Sequence, residues 1–363
     1  MKKIIHIVGA RPNFIKAAPL IKEIDKLNVT NLVLHTGQHY DENMSKVFFD
    51  ELEIPKPNYN LNAGGGSHAT QTAGIMIGCE KVFIDEKPDL VIVYGDVNSC
   101  VAASLVASKL HIPIAHVESG LRSYDRKMPE EINRVITDSI SDLLFLTSSD
   151  ALDNLKSEGV DWRKCHLVGN TMIDSLVSLN DKFDKSEILE YLELEKKSYA
   201  LITLHRPSNV DTKEDLENMM DSLFMISNIM PCVFPIHPRT ENNLSRFGLY
   251  EKYMNNENFN IINPLGYVDF MNLQKNAKVV ITDSGGVQEE SSFFGVQCLT
   301  VRENTERPIT IDEGTNKLIG TDYREIPIHV ERMNYDEGFT GINMWDGNSS
   351  KRIVEILKEK LNV

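Results

Sequence analysis

Four residues of this chain have the type and setting for proton transfer. They are Asp96 in Tyr94-Gly95-Asp96, Glu118 in His116-Val117-Glu118-Ser119-Gly120, Glu131 in Pro129-Glu130-Glu131-Ile132-Asn133-Arg134, and His205 in Thr203-Leu204-His205-Arg206. Asp96 and Glu118 each follow an apolar run, where a carboxylate loses its water and is costly unless it is used or paired. Glu130 and Glu131 stand at a helix start, where an acid also serves as a cap or a partner of the helix dipole. His39, His116 and His237 carry a weaker signal, because a histidine near a strand end is often a satisfied structural donor. No H-E-x-x-H or comparable spacing occurs. The five cysteines (Cys79, Cys100, Cys165, Cys232, Cys298) lie far apart without a C-x-x-C pair, so neither a metal site nor a disulfide framework is signalled.

A second group of residues suits phosphate. Thr282-Asp283-Ser284-Gly285-Gly286-Val287-Gln288-Glu289-Glu290 reads as strand, glycine turn and helix start. Exposed N–H groups and the positive end of the dipole at Ser284, Gly285 and Gly286 would cradle a phosphate. The competing reading is a helix cap in which Asp283 or Ser284 satisfies those amides. Glu290, farther along, suits ribose hydroxyls, or is a solvated helix residue. In Gly9-Ala10-Arg11-Pro12, Arg11 suits bidentate phosphate recognition, with Lys16 one turn on. The fingerprint G-x-G-x-x-G is absent after this strand. Gly64-Gly65-Gly66-Ser67-His68 reads as a loop before a helix, either closing over a ligand or only linking.

Short β-branched runs alternate with segments of helical period, the pattern of parallel sheets covered by helices, so the expected class is α/β. Strands are expected at Ile4–Val8, Leu32–Thr36, Leu90–Tyr94, Ile114–Val117, Leu143–Leu146 and His166–Val168, with helices at Phe14–Leu27 and Val101–Leu110. A charged stretch at Asp181–Glu187 precedes a fresh strand at Tyr199–Thr203, and the alternation repeats near Cys232–Ile236, Asn260–Ile262, Val279–Thr282, Cys298–Val301 and Lys317–Ile319. Two domains follow, 1–174 and 175–346, with Ser349–Leu361 as a docking helix. Every chemistry-bearing loop directly follows an expected strand, and in open α/β sheets the ligand crevice lies outside the strand carboxyl ends.

Composition narrows the partners. Of 363 residues, 41% are apolar and 25% charged, which suffices for a buried core and excludes a disordered chain. Thirty-eight basic against 53 acidic residues give −15, a field that disfavours nucleic acid and anionic membrane surfaces. No run approaches the roughly 18 apolar residues of a membrane span. The apolar run at Ile4–Val8 is too short for a signal-peptide core, so a cytoplasmic location is expected.

Taken in order, the motifs Gly9-Ala10-Arg11-Pro12-Asn13-Phe14-Ile15-Lys16, Thr36-Gly37-Gln38-His39, Gly95-Asp96, His116-Val117-Glu118-Ser119-Gly120-Leu121-Arg122-Ser123, Met128-Pro129-Glu130-Glu131-Ile132-Asn133-Arg134, Gly169-Asn170-Thr171, His205-Arg206, Asp283-Ser284-Gly285-Gly286-Val287-Gln288-Glu289-Glu290, Thr305-Glu306-Arg307-Pro308 and Glu313-Gly314-Thr315 cover most of the chain. This series resembles the UDP-N-acetylglucosamine 2-epimerase family, non-hydrolysing type. The resemblance implies the glycosyltransferase-B architecture: two Rossmann-like domains, a central cleft, and a C-terminal helix (347–363) returning to the first domain. It implies a homodimer serving polysaccharide biosynthesis and interconverting UDP-N-acetylglucosamine and UDP-N-acetylmannosamine through 2-acetamidoglucal, without metal or nicotinamide. By match, Asp96, Glu118, Glu131 and His205 fall on catalytic positions. Arg11, Lys16, His237, Ser284, Gly285, Gly286 and Glu290 fall on UDP-contacting ones.

The chain departs from the commonest family pattern at Ala10, Asn13-Phe14, Tyr40, Asp41 and Pro207-Ser208-Asn209. Activation by a second UDP-sugar is therefore not carried over. The alternatives are an epimerase of a UDP-2,3-diacetamido uronic acid, a hydrolysing epimerase, a UDP-sugar glycosyltransferase, and a non-catalytic UDP-sugar sensor. The presence of all four acid/base candidates argues against the sensor.

Overall fold

The computed structural model describes residues 1–37, 51–52, 54–254, 256–332 and 339–363, the Arg11 side chain excepted. Gln38, His39, Tyr40 and Asp41 lie outside the described residues. Met1–Leu179 with Asn343–Val363 forms one compact unit and Asn180–Ile342 a second.

The first unit contains strands β1 (Lys3–Val8), β2 (Thr30–His35), β3 (Tyr59–Asn60), β4 (Leu90–Tyr94), β5 (Ile114–Ser119), β6 (Leu143–Leu146) and β7 (Cys165–Leu167). Their order is β3-β2-β1-β4-β5-β6-β7, all parallel. The chain starts in the middle, winds outward to β3, then returns to place β4 against β1. That reversal makes the β1/β4 ends a topological switch point. The β4 run Leu90–Tyr94 is buried throughout, as a central strand covered on both faces must be. On one face Ile5, Ile7, Leu34, Val91 and Val93 pack against Ile75, Cys79 and Phe83 of the helix His68–Glu86 and Ala103 and Val106 of the helix Asn98–Lys109.

The second unit repeats the design with β8 (Ala200–Thr203), β9 (Cys232–Pro235), β10 (Phe259–Ile262), β11 (Val279–Thr282), β12 (Gln297–Thr300) and β13 (Asn316–Leu318). The order β10-β9-β8-β11-β12-β13, again all parallel, puts its switch point between β8 and β11. Side-chain alternation is explicit here. Ile202, Phe234 and Ile281 join Leu216, Met220 and Leu223 of the helix Lys213–Ile226. Their neighbours Leu201, Val233 and Val280 turn to the other face with Leu273 and Val287.

The last helix, Ser349–Leu361, buries Ile353, Val354, Leu357 and Leu361 within the first unit. Full burial of such side chains is worth about 1.5–3 kcal/mol each. Asp174 accepts the backbone N–H groups of Ser349 (3.0 Å) and Ser350 (2.6 Å), capping this helix from the helix Thr171–Asp184. Burial raises the Asp174 carboxyl above its ordinary range despite those donors. Several element boundaries differ from the sequence expectation by one to three residues, and one strand lies outside it. The first helix spans Arg11–Ile24 rather than Phe14–Leu27, because Asn13 Oδ1 accepts the N–H groups of Gly9 and Ala10 (3.1 Å each) and so starts the helix early. The short edge strand Tyr59–Asn60 has no signal in the sequence; its pairing with Leu34 and His35 defines it. Among the described residues no helix is long and apolar enough to cross a membrane.

Candidate active site

In the first unit the switch point gathers charge. Asn13 Nδ2 donates to the Tyr94 carbonyl (2.7 Å), tying the β1 loop to the end of β4. One turn along the helix, buried Lys16 forms an ion pair with the buried Glu118 carboxylate. Glu118 has a φ of 69°, a left-handed conformation rare outside glycine. There the β5 register against β6 slips between Val117 and Ser119, which re-aims the side chain. Gly95 is likewise left-handed, and a methyl group on it would lie 3.2 Å from Lys16 Nζ and 3.7 Å from Glu118 Oε1. The turn therefore runs directly past the Lys16–Glu118 pair.

Asp96 and Glu131 share a cation. Arg134 is only 2% exposed and donates from Nη2 to Asp96 Oδ2 (2.6 Å) and from Nη1 to Glu131 Oε2 (2.5 Å). Glu131 also accepts Ser123 N–H, Ser123 Oγ–H and Tyr124 N–H, all at 2.9 Å. It is therefore a buried, four-donor carboxylate rather than a simple partner of the dipole of the helix Pro129–Ile140. Asn133 donates to the Asp96 carbonyl (2.9 Å), which fixes that helix against the Gly95–Asp96 turn. Asp96 and Glu131 are thus joined through Arg134, and the turn that carries Asp96 runs beside the Lys16–Glu118 pair. Arg134 belongs to the Glu131 motif but was not among the expected site residues. Its signal is the i, i+3 spacing from Glu131.

In the second unit Asp283, fully buried, accepts His205 N–H (2.9 Å to Oδ2), Arg206 N–H (2.7 Å) and Asn209 Nδ2–H (3.0 Å). It therefore ties the β8 loop to the end of β11 and does not cap the following helix. Ser284 stands at the N-cap of the helix Gly285–Phe294 and makes no side-chain cap bond. The cap alternative for Asp283 and Ser284 is thus overturned. A methyl group on Gly285 would meet the side-chain ends of Arg307 (Nη1) and Glu306 (Oε1), which would have to shift to admit it. Beneath Gly285, Arg307 pairs with Glu289 (Nε to Oε2, 2.9 Å) and with Glu306, and Arg302 Nη2 donates to Glu306 (2.8 Å). Gly286 follows in the same first turn. Glu290 is 5% exposed, so it is not a solvated helix residue. His205 and His237 stack at 4.9 Å between ring centroids, and His237 Nδ1 accepts the Arg239 N–H (3.1 Å). That bond leaves the ring proton of a neutral His237 on Nε2. Among the described residues no group of three or more His, Cys, Asp or Glu is disposed to hold a metal ion.

Two doubly wound parallel sheets with polar clusters at their strand carboxyl ends define a two-unit Rossmann-like protein of the glycosyltransferase-B kind. Residues 22–358 match the family model described as UDP-N-acetylglucosamine 2-epimerase, and the chain belongs to that family. It is 49% identical over 358 residues to a UDP-N-acetylglucosamine 2-epimerase homolog of Methanococcus maripaludis, covering 98% of this chain and 99% of the relative. It is 40% identical over 361 residues to the UDP-2,3-diacetamido-2,3-dideoxy-D-glucuronate 2-epimerase of Pseudomonas aeruginosa, covering 98% and 99%. The crystal structure of Methanocaldococcus jannaschii UDP-GlcNAc 2-epimerase with UDP-GlcNAc and UDP superposes with a TM-score of 0.90 at 45% identity, covering 98% of this chain and 99% of that one.

Proposed function

We propose that the chain is a non-hydrolysing epimerase that interconverts UDP-N-acetylglucosamine and UDP-N-acetylmannosamine. The observation that carries this reading is the gathering of Asp96, Glu118 and Glu131 around Lys16 and Arg134. The C2 hydrogen of the sugar is poorly acidic, so its removal needs a positioned base. In the proposed reaction a carboxylate takes that proton while the C1–O bond to UDP breaks. The C–H electron pair becomes the C1–C2 double bond of 2-acetamidoglucal. A protonated group then returns a proton to the opposite face of C2 as a diphosphate oxygen bonds C1. The steps are redox-neutral overall and use no nicotinamide.

In this reading Asp96, Glu118, Glu131 and His205 handle protons, each worth roughly 10²- to 10⁴-fold in rate. Ser284, Gly285, Gly286, Glu290 and His237 hold UDP, joined by Arg11 and Lys16. On the same reading the amides of the helix Gly285–Phe294 favour the departing diphosphate. The proposal includes a cytoplasmic homodimer that supplies N-acetylmannosamine-type sugars for cell-surface polysaccharide.

The test is incubation with UDP-N-acetylglucosamine in D₂O, followed by proton NMR. Deuterium at C2 and a manno product are expected. No exchange with nucleotide bound, or an acceptor-dependent product, rejects the reading, and free N-acetylmannosamine with UDP selects hydrolysis instead. The 40% identity to the diacetamido-glucuronate enzyme favours a second substrate. Exchange with that uronate at a higher kcat/KM would replace the first assignment.

A further inference from the structure

Behind the acid cluster lies a second set of charges that the proposed chemistry does not use, with His116, Arg122 and Asp138 buried and Glu158 exposed. His116 is fully buried in β5 and engages both ring nitrogens: Nε2 lies 2.7 Å from the Gly95 carbonyl oxygen and Nδ1 2.6 Å from Asp138 Oδ1. A carbonyl only accepts, so Nε2 carries a proton. Asp138 also accepts Arg122 Nη1–H (2.7 Å) and Gly120 N–H (3.1 Å) on Oδ2. The Arg122 guanidinium and the Gly120 amide thus both donate to the oxygen of Asp138 that faces away from His116, which keeps the carboxyl an acceptor. Asp138 is therefore the acceptor at Nδ1 as well, and both imidazole nitrogens are protonated. Arg122 is completed by Glu158, giving Nε to Oε1 and Nη2 to Oε2 at 2.7 Å each. A neutral ring would turn one nitrogen lone pair toward either the Asp138 carboxylate or the Gly95 carbonyl at hydrogen-bond distance, which is costly in a buried site.

We infer that His116 is a buried imidazolium that positions the reacting carboxylates. Through the Gly95 carbonyl it holds the turn carrying Asp96, and through Asp138 and the Gly120 N–H it holds the turn carrying Glu118. The Glu118 turn needs such a clamp, because Glu118 holds a φ of 69°, a conformation that glycine takes freely and other residues rarely do. The positioning role rests on the epimerase reading above; the charge state does not.

Two measurements test it. In the full-length chain carrying ¹⁵N-histidine, with the signal assigned by a His116→Phe variant, both His116 nitrogens should show the protonated shift at pH 7.5, where an unperturbed imidazole is mostly neutral. A neutral tautomer overturns the inference. His116→Leu should lower the melting temperature, and His116→Leu combined with Asp138→Asn, which removes the buried carboxylate left without its imidazole donor, should recover most of that loss. Both variants should lose about 10²-fold in kcat for C2 exchange, the scale of a misplaced reacting group, with UDP affinity within threefold of the parent. A double variant that regains stability and turnover together would make His116 structural only. Absence of exchange in the parent itself would sink the epimerase reading, while the nitrogen spectrum still decides the charge state.

Discussion

Asp283→Ala offers the most direct test of how the second unit holds its loops. The carboxylate has no solvent exposure and accepts from two successive backbone amides, His205 and Arg206, and from the Asn209 side chain. Truncation leaves those three donors without their acceptor. A buried donor left unsatisfied costs about 1–3 kcal/mol. The two backbone amides are only partly buried, so water reaches them and the lower end of that range applies, giving about 3–5 kcal/mol in all. The unit, Asn180–Ile342, spans 163 residues. At that size each kcal/mol moves the midpoint by about 2–4 °C, so a fall of about 6–20 °C is expected. Asp283→Asn keeps one oxygen for the amides but loses the charge, and should fall in between. Differential scanning calorimetry of the full chain reads the shift. An alanine variant melting within 2 °C of the parent would show that Asp283 does not carry the β8–β11 connection.

Arg134→Met removes the cation shared by Asp96 and Glu131 and should lower kcat for C2 exchange by at least about 10²-fold with UDP affinity little changed; turnover within threefold of the parent refutes that role. Gly285→Ala drives a methyl group into Arg307 and Glu306, and isothermal titration with UDP should show at least about tenfold weaker binding. Unchanged affinity would mean the first turn of that helix takes no phosphate. His6, buried 2.5 Å from the Tyr94 hydroxyl, is pushed down to about 4 by burial, below the ordinary value of 6.5. The unfolded chain then binds a proton between pH 6.5 and 4 that the folded chain refuses. The resulting stability is complete above 6.5 and is lost as pH falls, by up to about 1.4 kcal/mol per pH unit. His6→Gln should flatten the urea midpoint over that window, and parallel profiles for variant and parent would refute it.

The fold class was legible because central parallel strands are buried on both faces and so read as unbroken apolar runs; Leu90–Tyr94 and Val279–Thr282 match their strands residue for residue. Helix starts were less legible. Asn13 sets the first helix by bonding backward to Gly9 and Ala10, a local effect that apolar periodicity cannot report. The edge strand at Tyr59–Asn60 exists only through its partner in β2, and two residues carry no period at all.

Site residues divide along the same line between local type and distant pairing. A carboxylate placed at the end of an apolar strand is visible in sequence, but its counter-charge comes from wherever the winding order brings a loop. Arg134 lies 38 residues beyond Asp96, Glu158 lies 36 beyond Arg122, and Asp283 lies 78 beyond His205. The Asp283-Ser284-Gly285-Gly286 segment shows what this costs an interpretation from sequence. Cap and cradle demand the same residues there, and only side-chain direction separates them. Asp283 turns back to the β8 loop and Ser284 makes no cap bond, while Glu306 and Arg307 fill the space that a Cβ at residue 285 would take. The helix thus begins with backbone amides and no capping side chain, an arrangement that suits an anionic ligand.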